Sequence, residues 1–310
     1  MTIPATSSRT VALIGGRGDV GRMLTGRLRD DGMRVRTVDT DVPDVADADS
    51  VQGDITDPSP EVRALVQSAD AVVLAVSETV ALNALAFLSE SLAEHALLVD
   101  TLSVKCRFDA ALRANPLPNS ALGINPMFAP ALSPQGRPIA AVRYQDRGDL
   151  GWFLTSLSGW GASVVHLDAE RHDRLTALTQ ALTHAGVLAF GLALGELGAD
   201  GAELTAMATP PHLMSLALLA RVGGGVPEVY RDIQAGNPFA AQARRALTDA
   251  MRTVDHTVEN GTDQDFADLM SRSISTLGDR REPLARLCAE LFADLQHTAP
   301  RFWDGNGESS

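Results

Sequence analysis

The sequence predicts an α/β protein with an N-terminal Rossmann-type doubly wound parallel sheet and a C-terminal all-helical domain. Up to about residue 167, short β-rich runs alternate with helical patterns, and beyond residue 168 the strand-like runs stop. Alternating strands and helices are typical of a parallel sheet covered on both faces. We therefore expect two domains, an α/β domain over residues 1–167 and an all-helical domain over residues 168–310; their functions follow from the motifs below.

Seven runs in the first half have strand character. They are 10–16, 33–39, 70–76, 96–101, 120–124, 138–143 and 162–167. Helical spacing separates most of them. Between the first two runs, the apolar residues that recur at helical intervals are Val20, Met23, Leu24 and Leu28, and Gly32 supplies a stop signal.

Composition argues against binding to nucleic acids or to anionic membranes. The chain has 26 Lys and Arg against 39 Asp and Glu, for a formal net charge of −13, which repels polyanions. The two cysteines, Cys106 and Cys288, lie far apart in no metal-binding motif, so we expect free thiols and no metal site. The first residues lack the pattern of a signal peptide, which predicts a cytoplasmic protein.

Residues 175–195 form a stretch without Asp, Glu, Lys or Arg. Its length is that of a membrane span. Gln180 and His184 interrupt it, and acidic residues lie on both sides. We interpret it as a helix buried in the interface of a soluble protein, with a homodimer expected.

A glycine-rich segment follows the first strand. Gly16, Gly18 and Gly21 form G-x-G-x-x-G between a strand and an amphipathic helix, and Asp39 ends the next strand, which is the context of a dinucleotide fingerprint. Gly16 would permit the tight turn, Gly18 the approach of a pyrophosphate, and Gly21 close packing of helix on strand. The predicted cofactor contacts are Gly16, Gly18, Asp19, Val20, Gly21, Asp39 and Ser77.

The acidic end of the second strand favours NAD over NADP. A carboxylate at Asp39 would accept hydrogen bonds from the adenosine ribose hydroxyls and would repel a 2′-phosphate. Asp41 adds to that repulsion, and no arginine immediately follows.

Four motifs follow the fingerprint in order: "DTLSVK" (100–105), "GINPMFAP" (123–130), "WGASVVHLDAERHDR" (160–174) and "TQALTH" (179–184). With them the chain resembles the prephenate dehydrogenase family, over about residues 11–270. That resemblance implies oxidation of a cyclohexadiene, in which hydride leaves ring C4 for the nicotinamide, carbon dioxide leaves C1 and the ring becomes aromatic. It also implies a helical dimerisation domain and a small dicarboxylate substrate.

The resemblance assigns roles to several polar residues. Ser103 matches the serine of the "SVK" element and would reach the substrate's C4 group and the nicotinamide, although it could equally cap the following helix. His172, with Asp173, matches the "HD" pair and is expected to bind substrate. His184 ends the "Q-A-L-x-H" run as a candidate catalytic residue. Gln180 lies one helical turn earlier on the same face, and it is also expected to bind substrate.

Arg221 matches the arginine that binds a substrate carboxylate in this family. The assignment fits the charge balance, because a dianion that approaches a protein of net charge −13 needs a local cation. Guanidinium binds carboxylate bidentately. A surface arginine near a helix C-terminus is the alternative. Lys105 is expected to be solvated or paired with a carboxylate.

Asn125 departs from the family. The third position of the "G-x-H-P-M" motif is a histidine that takes the proton of the C4 hydroxyl as hydride leaves, and here it is Asn125 in "GINPMFAP". An amide cannot accept that proton. General base catalysis typically contributes about 10²–10⁴-fold, so a hydroxylated substrate would react slowly.

Three hypotheses follow from Asn125. In the first, C4 bears an amine, as in 4-amino-4-deoxyprephenate; its lone pair expels the hydride, the amide oxygen orients N–H, and 4-aminophenylpyruvate forms for an antibiotic building block. In the second, prephenate or arogenate is the substrate and the base is His184 or a water held by Ser103. In the third, the protein is a non-catalytic NAD-binding sensor.

Another class of NAD-dependent dehydrogenases has a similar arrangement of domains. The β-hydroxyacid dehydrogenases depend on a catalytic lysine in their helical domain, and no lysine follows Lys105 in this chain. The sequence therefore disfavours that class.

Overall fold

The structure is a computed structural model, and it describes residues 9–41 and 48–298. The chain forms two compact units. Among the described residues, the first unit holds those up to Thr176 together with Arg231–Pro238, and the second holds Ala177–Tyr230 and those from Phe239 onward.

The first unit is built on an eight-stranded sheet of order β3-β2-β1-β4-β5-β6-β7-β8. Strands β1 to β6 are parallel, β7 is antiparallel to β6, and β8 is parallel to β7. The strands are β1 (Thr10–Ile14), β2 (Arg34–Asp39), β3 (Ser50–Gln52), β4 (Ala71–Leu74), β5 (Leu97–Asp100), β6 (Ala121–Pro126), β7 (Pro138–Gln145) and β8 (Ser163–Leu167). The strand order reverses between β1 and β4, where such sheets bind ligands.

The predicted doubly wound sheet is confirmed, and each of the seven predicted strands is present. Strand β3 is not among the predicted strands; it has three residues, of which only Val51 is buried. Three residues with one buried side chain give no alternating pattern.

Helices cover both faces of this sheet. They are α1 (Asp19–Asp30), α2 (Pro60–Ser68), α3 (Glu78–Ser91), α4 (Cys106–Ala114), α5 (Gly151–Gly159) and α6 (Ala169–Thr176). Alternate strand residues enter two hydrophobic clusters: Ala12 and Ile14 pack with α2, α3 and α4, whereas Val11 and Leu13 pack with α1 and α5. The strands are buried on both faces, which explains their nearly continuous apolar sequences.

The described residues of the second unit form helices joined by short turns. Its helices are α7 (Thr183–Glu196), α8 (Gly201–Ala206), α9 (Pro210–Gly223), α10 (Pro227–Arg231, whose last residue falls in the first unit), α11 (Ala240–Asn260), α12 (Asp263–Ile274) and α13 (Arg281–Thr298). Ala177–Leu182 is a π-helical turn between α6 and α7, and a second π-helical turn, Asp232–Gly236, follows α10. Within the described chain, the continuous helix Ala169–Glu196 is long and apolar enough to cross a membrane by length and composition alone.

The boundary of the first unit differs from the predicted one at residue 167. Helix α6 belongs to the first unit because the carboxylate of Asp173 accepts hydrogen bonds from the backbone amides of Lys105 and Cys106, both at 2.8 Å. Asn237 donates from Nδ2 to the Asp173 carbonyl oxygen at 2.8 Å, which brings Arg231–Pro238 into the same unit. The sequence pattern indicates where the strands end, at residue 167. These long-range hydrogen bonds extend the first unit nine residues further, to Thr176.

Candidate active site

The glycine-rich turn connects β1 to α1 at the carboxyl edge of the sheet. The turn itself falls on Gly15, whose φ is +83°, rather than on Gly16 as expected. A Cβ on Gly16 would lie 2.5 Å from the Cβ of Thr37, and a Cβ on Gly21 would lie 2.0 Å from the Gly15 carbonyl oxygen. Gly16 and Gly21 therefore permit close packing, and the positive φ at Gly15 favours glycine.

Gly18 leaves open space at the start of α1. A Cβ there would meet only the Gly15 carbonyl oxygen, at 3.5 Å. Gly18 is the N-cap residue of α1, and no side chain caps this end of the helix. Free amides and the helix dipole make such an end suited to a phosphate. Asp19 and Val20 lie in the same first turn, where the Asp19 carboxylate pairs with Arg22.

Asp39 supports the glycine-rich turn directly. Its Oδ2 atom accepts a hydrogen bond from the backbone amide of Arg17 at 2.9 Å. The carboxylate thus stands at the end of β2 beside the turn, where a ribose hydroxyl is expected. Ser77, an exposed residue after β4, is the N-cap of α3 and accepts from the Val80 amide at 3.5 Å.

Asn125 is buried near the end of β6. Strand register pairs Asp100 with Gly123 on neighbouring parallel strands, so Asn125 lies beyond the level at which β5 ends. The Asn125 Nδ2 atom lies 3.1 Å from Nε2 of His172. Within the described part of the chain, no protein group hydrogen-bonds the Asn125 side-chain oxygen.

His172 uses both of its ring nitrogens inside the first unit. Nδ1 lies 2.8 Å from Oδ1 of Asp173, and the ring is 1% exposed. Burial lowers the pKa of His172, an effect that the charge of Lys105 reinforces and Asp173 opposes. The neutral ring therefore donates from Nδ1 and accepts at Nε2. Both ring nitrogens of His172 have protein partners, and a contact of this ring with substrate stays a prediction.

Asp173 accepts the hydrogen bonds that connect His172, Lys105 and Cys106. Burial favours its neutral form, but hydrogen bonds from His172, Cys106 and Lys105 outweigh burial and lower the pKa of its carboxyl. A carboxylate that accepts several such bonds stays ionised at neutral pH. Asp173 can therefore accept a hydrogen bond from Nδ1 of the His172 imidazole.

Lys105 is fully buried and paired with a carboxylate. Its Nζ atom donates to Oδ1 of Asp100 at 2.5 Å and to the carbonyl oxygen of Ile124 at 2.8 Å. Burial lowers the pKa of the Lys105 ammonium, and Asp100 opposes that shift. Of the two alternatives for this residue, the ion pair is the one found.

Ser103 is half-buried after β5, on the same carboxyl edge as Asn125. Helix α4 begins at Cys106, with Lys105 as its N-cap residue and no side-chain cap. Ser103 therefore does not cap α4, so the helix-capping role considered for its hydroxyl is not found.

Three predicted residues lie in the second unit. Gln180 lies in the π-helical turn, and His184 follows in the first turn of α7. Gln180 Oε1 and His184 Nδ1 are buried atoms without a hydrogen-bond partner among the described residues. Buried polar atoms of this kind usually find a partner, so the pair is suited to a polar ligand. Single π-helical turns are frequent at functional sites.

Arg221 stands close enough to His184 to influence its ionisation. Burial lowers the pKa of His184, and the charge of Arg221 lowers it further. Tyr230 packs edge-on against the His184 ring, with 4.8 Å between ring centroids. Tyr230 therefore lies against the His184 ring in the second unit, and the charge of Arg221 acts on the same imidazole. Tyr230 was not predicted as a site residue, because a lone tyrosine after a glycine run belongs to no motif.

Asp100 and Tyr144 are also absent from the residues predicted for the site. Asp100 pairs with Lys105, and the Tyr144 hydroxyl and Asp100 Oδ2 both face Gly123. An acidic residue ending a buried strand, five residues before the only following lysine, was the available signal for the ion pair. Tyr144 lies on the antiparallel strand β7, whose pairing to β6 sequence spacing does not reveal.

Comparisons with known proteins agree with this architecture. Residues 168–272 match the family described as "Prephenate dehydrogenase, dimerization domain", and residues 10–103 match the one described as "NADP oxidoreductase coenzyme F420-dependent". Two structures of prephenate dehydrogenase from Aquifex aeolicus superpose with TM-scores of 0.65 and 0.62 at 18% identity, covering 86% and 88% of this chain and 98% and 99% of theirs. The second is a complex with hydroxyphenyl propionate and NAD+. At that identity they show the fold.

Sequence relatives are more specific. The T-protein of Enterobacter agglomerans is 32% identical over 73% of this chain and 56% of its own length. The 4-amino-4-deoxyprephenate dehydrogenase of Streptomyces pristinaespiralis is 47% identical over 284 residues, which are 91% of this chain and 96% of that protein. With that identity across nearly the whole of both chains, this protein belongs to the prephenate dehydrogenase family.

Proposed function

We propose that this protein is an NAD-dependent dehydrogenase that converts 4-amino-4-deoxyprephenate to 4-aminophenylpyruvate with loss of carbon dioxide. The observation that carries the proposal is Asn125, a buried amide at the position where the family motif has its proton-accepting histidine. The Streptomyces pristinaespiralis relative, which bears that activity in its name, is 47% identical.

The chemistry of an amine removes the need for a base at this position. The nitrogen lone pair forms the C4=N bond as the C4–H bond breaks and its electron pair leaves as hydride to the nicotinamide. The C1–carboxylate bond then breaks, its electrons flow into the ring, and the iminium becomes an aromatic amine. What the protein must supply is an acceptor that orients the substrate N–H.

Asn125 is suited to be that acceptor. Its nitrogen is engaged by His172, and its oxygen has no protein partner within the described residues. An amide oxygen accepts two hydrogen bonds and has no affinity for a proton at neutral pH. It can therefore orient an amine without acting as a base.

NAD fits the residues that are present. The open start of α1 at Gly18 would hold the pyrophosphate, and Asp39 would hold the adenosine ribose. NAD supplies the hydride acceptor. The carboxylate at Asp39 disfavours a 2′-phosphate by charge repulsion.

In the second unit, Arg221 would bind a substrate carboxylate, while Gln180 and His184 contribute polar atoms that lack a partner among the described residues. Ser103 would contact the C4 group from the carboxyl edge of the sheet. The protein is a soluble enzyme in this proposal, cytoplasmic and homodimeric. An apolar exposed surface on α7, with Leu192 74% exposed, supports the dimer.

A second candidate is a prephenate or arogenate dehydrogenase with a displaced base. His184 favours it, because burial lowers its pKa and keeps the imidazole neutral, and its Nδ1 has no hydrogen-bond partner in the part of the chain that the structure describes. The third hypothesis, a non-catalytic NAD-binding protein, has the same site and no turnover.

Parallel assays separate these functions. Purified protein with NAD is offered 4-amino-4-deoxyprephenate, prephenate and arogenate, and NADH formation is followed by absorbance. We expect the amine to have the highest kcat/KM. Fast turnover of a hydroxylated substrate with none of the amine would overturn the proposal, and no turnover of any would favour the non-catalytic protein.

A companion variant tests Asn125 itself. Asn125→His restores the family's base, so the ratio of prephenate to amine turnover should rise. The near-isosteric Asn125→Leu is the control, because it removes the acceptor without adding a base and should lower amine turnover with no gain on prephenate. An unchanged ratio in Asn125→His would show that Asn125 does not set specificity.

A further inference from the structure

The Asn125 amide has two chemically different ends, and only one of them suits an amine substrate. If the oxygen faces the substrate it accepts N–H, whereas a reversed amide would present its own N–H groups to a donor. The two orientations have nearly the same shape. Packing alone therefore cannot select between them, and a hydrogen-bond partner of fixed polarity is needed.

The geometry points to Asp173 and His172 as positioning residues that fix the Asn125 amide with its oxygen toward the substrate. Asp173 accepts from the backbone amides of Lys105 and Cys106, so its oxygens present only acceptor character. His172 must then donate from Nδ1, at 2.8 Å, and accept at Nε2. Nε2 in turn accepts from Asn125 Nδ2 at 3.1 Å. This inference rests on the proposed function for the identity of the substrate.

The charged groups around His172 keep this polarity in place at neutral pH. Besides Asp173 they are Lys105 and Asp100, an ion pair joined at 2.5 Å. Lys105 also donates to the carbonyl oxygen of Ile124, which fixes the backbone next to Asn125. His172 is 1% exposed and Asp173 fully buried, so water does not compete for their hydrogen bonds.

Asp173→Asn is the decisive variant. Asp173 Oδ1 accepts from both the Lys105 amide and His172 Nδ1. An asparagine with Nδ2 in that place donates to Nδ1, which moves the ring proton to Nε2, and Nε2–H then reverses the Asn125 amide. The opposite orientation keeps Nδ1–H and sets Nδ2 against the Cys106 amide. The same exchange in a Ser-His-Asp triad leaves geometry intact and fixes the wrong tautomer. We expect kcat/KM for the amine to fall on the order of 10- to 100-fold, the cost of facing a donor with a donor.

Asn237→Ala is the matched control. Asn237 donates to the Asp173 carbonyl oxygen and to Thr176 Oγ1 at 3.1 Å, so its removal loosens the same segment without changing the polarity of His172. We expect a loss of stability with kcat within about twofold of wild type. An equal loss of activity in both variants, for equal loss of stability, would reduce Asp173 to a structural role.

A double variant should restore the activity that Asp173→Asn loses. A carboxylate has acceptors at both ends, so Asn125→Asp in the Asp173→Asn background can pair with Nε2–H and still offer an oxygen to the substrate. We expect it to recover most of the activity lost in Asp173→Asn alone. No recovery would overturn the inference.

Nitrogen NMR of histidine-labelled protein reads the tautomer directly, with His172→Gln to assign the signal. We expect protonated Nδ1 and unprotonated Nε2 in wild type, and the reverse in Asp173→Asn. An Nε2–H tautomer in wild type would overturn the inference whatever the substrate. Wild-type substrate preference alone decides the proposed function, so the two can fail separately.

Discussion

Lys105 donates a 2.8 Å hydrogen bond from Nζ to the carbonyl oxygen of Ile124, the residue immediately before Asn125. The same ammonium is paired with Asp100 at the end of the neighbouring strand. A buried ion pair thus ties the ends of β5 and β6 together where the candidate catalytic amide lies. The first prediction concerns that pair.

Lys105→Met should destabilise the protein strongly. It leaves the Asp100 carboxylate buried without a cation, and breaking a buried pair in this way costs about 3–5 kcal/mol. Urea unfolding measures the free energy. Lys105→Met with Asp100→Asn removes both charges and should recover part of the loss. A single variant as stable as wild type would mean that the pair contributes no net stability.

Gly123→Ala should also destabilise the protein, because the added Cβ would lie 2.5 Å from the Tyr144 hydroxyl and 2.9 Å from Asp100 Oδ2. Overpacking of this kind costs about 1–3 kcal/mol. Adding Tyr144→Phe should relieve part of it. Gly26→Ala, in α1 with nothing within 4 Å of the new Cβ, is the control and should be neutral or stabilising. Thermal unfolding compares the three.

Asp39→Asn should weaken NAD binding. The carboxylate is expected to accept from the ribose hydroxyls, and a hydrogen bond to a charged group contributes about 1.5–3 kcal/mol, or roughly 10- to 100-fold in KM for NAD. The preference for NAD over NADP should narrow. Asp30→Asn at the far end of α1 is the control. Equal effects of both variants would indicate a general electrostatic effect.

Arg221→Lys should raise KM for the dicarboxylate substrate by roughly 10-fold with a smaller change in kcat. Lysine keeps the charge but loses bidentate geometry. Arg252→Lys, on α11 in an exposed pair with Asp249, is the matched control and should leave KM unchanged. Steady-state kinetics with saturating NAD provide the test, and an unchanged KM in Arg221→Lys would remove Arg221 from the substrate site.

Acidification should destabilise the folded chain through His172. Burial lowers its pKa, so the unfolded chain binds the proton more readily, and this contribution is complete above the unfolded value of about 6.5 and is lost as pH falls through the lower folded pKa. His184 adds in the same direction. His172→Gln should show a smaller fall in unfolding free energy between about pH 7 and pH 5. An identical slope would contradict the prediction.

Sequence alone determined the doubly wound sheet, the positions of most strands along the chain and the dinucleotide fingerprint. These features depend on local patterns: apolar runs in buried strands, helical spacing in α1, and glycines where a Cβ would collide. Motif order then indicated the family, and Asn125 in "GINPMFAP" raised the substrate question before any geometry was known. The sequence also indicated Gln180 and His184, one helical turn apart, as candidate site residues.

Tertiary structure decided which partners those residues have. It assigned the turn to Gly15, buried Lys105 against Asp100, carried the first unit past α6, and gave both nitrogens of His172 to Asn125 and Asp173. Such contacts join residues tens of positions apart, and local spacing carries no information about them. The sequence identifies Asn125, but the orientation of its amide depends on which ring nitrogen of His172 carries the proton.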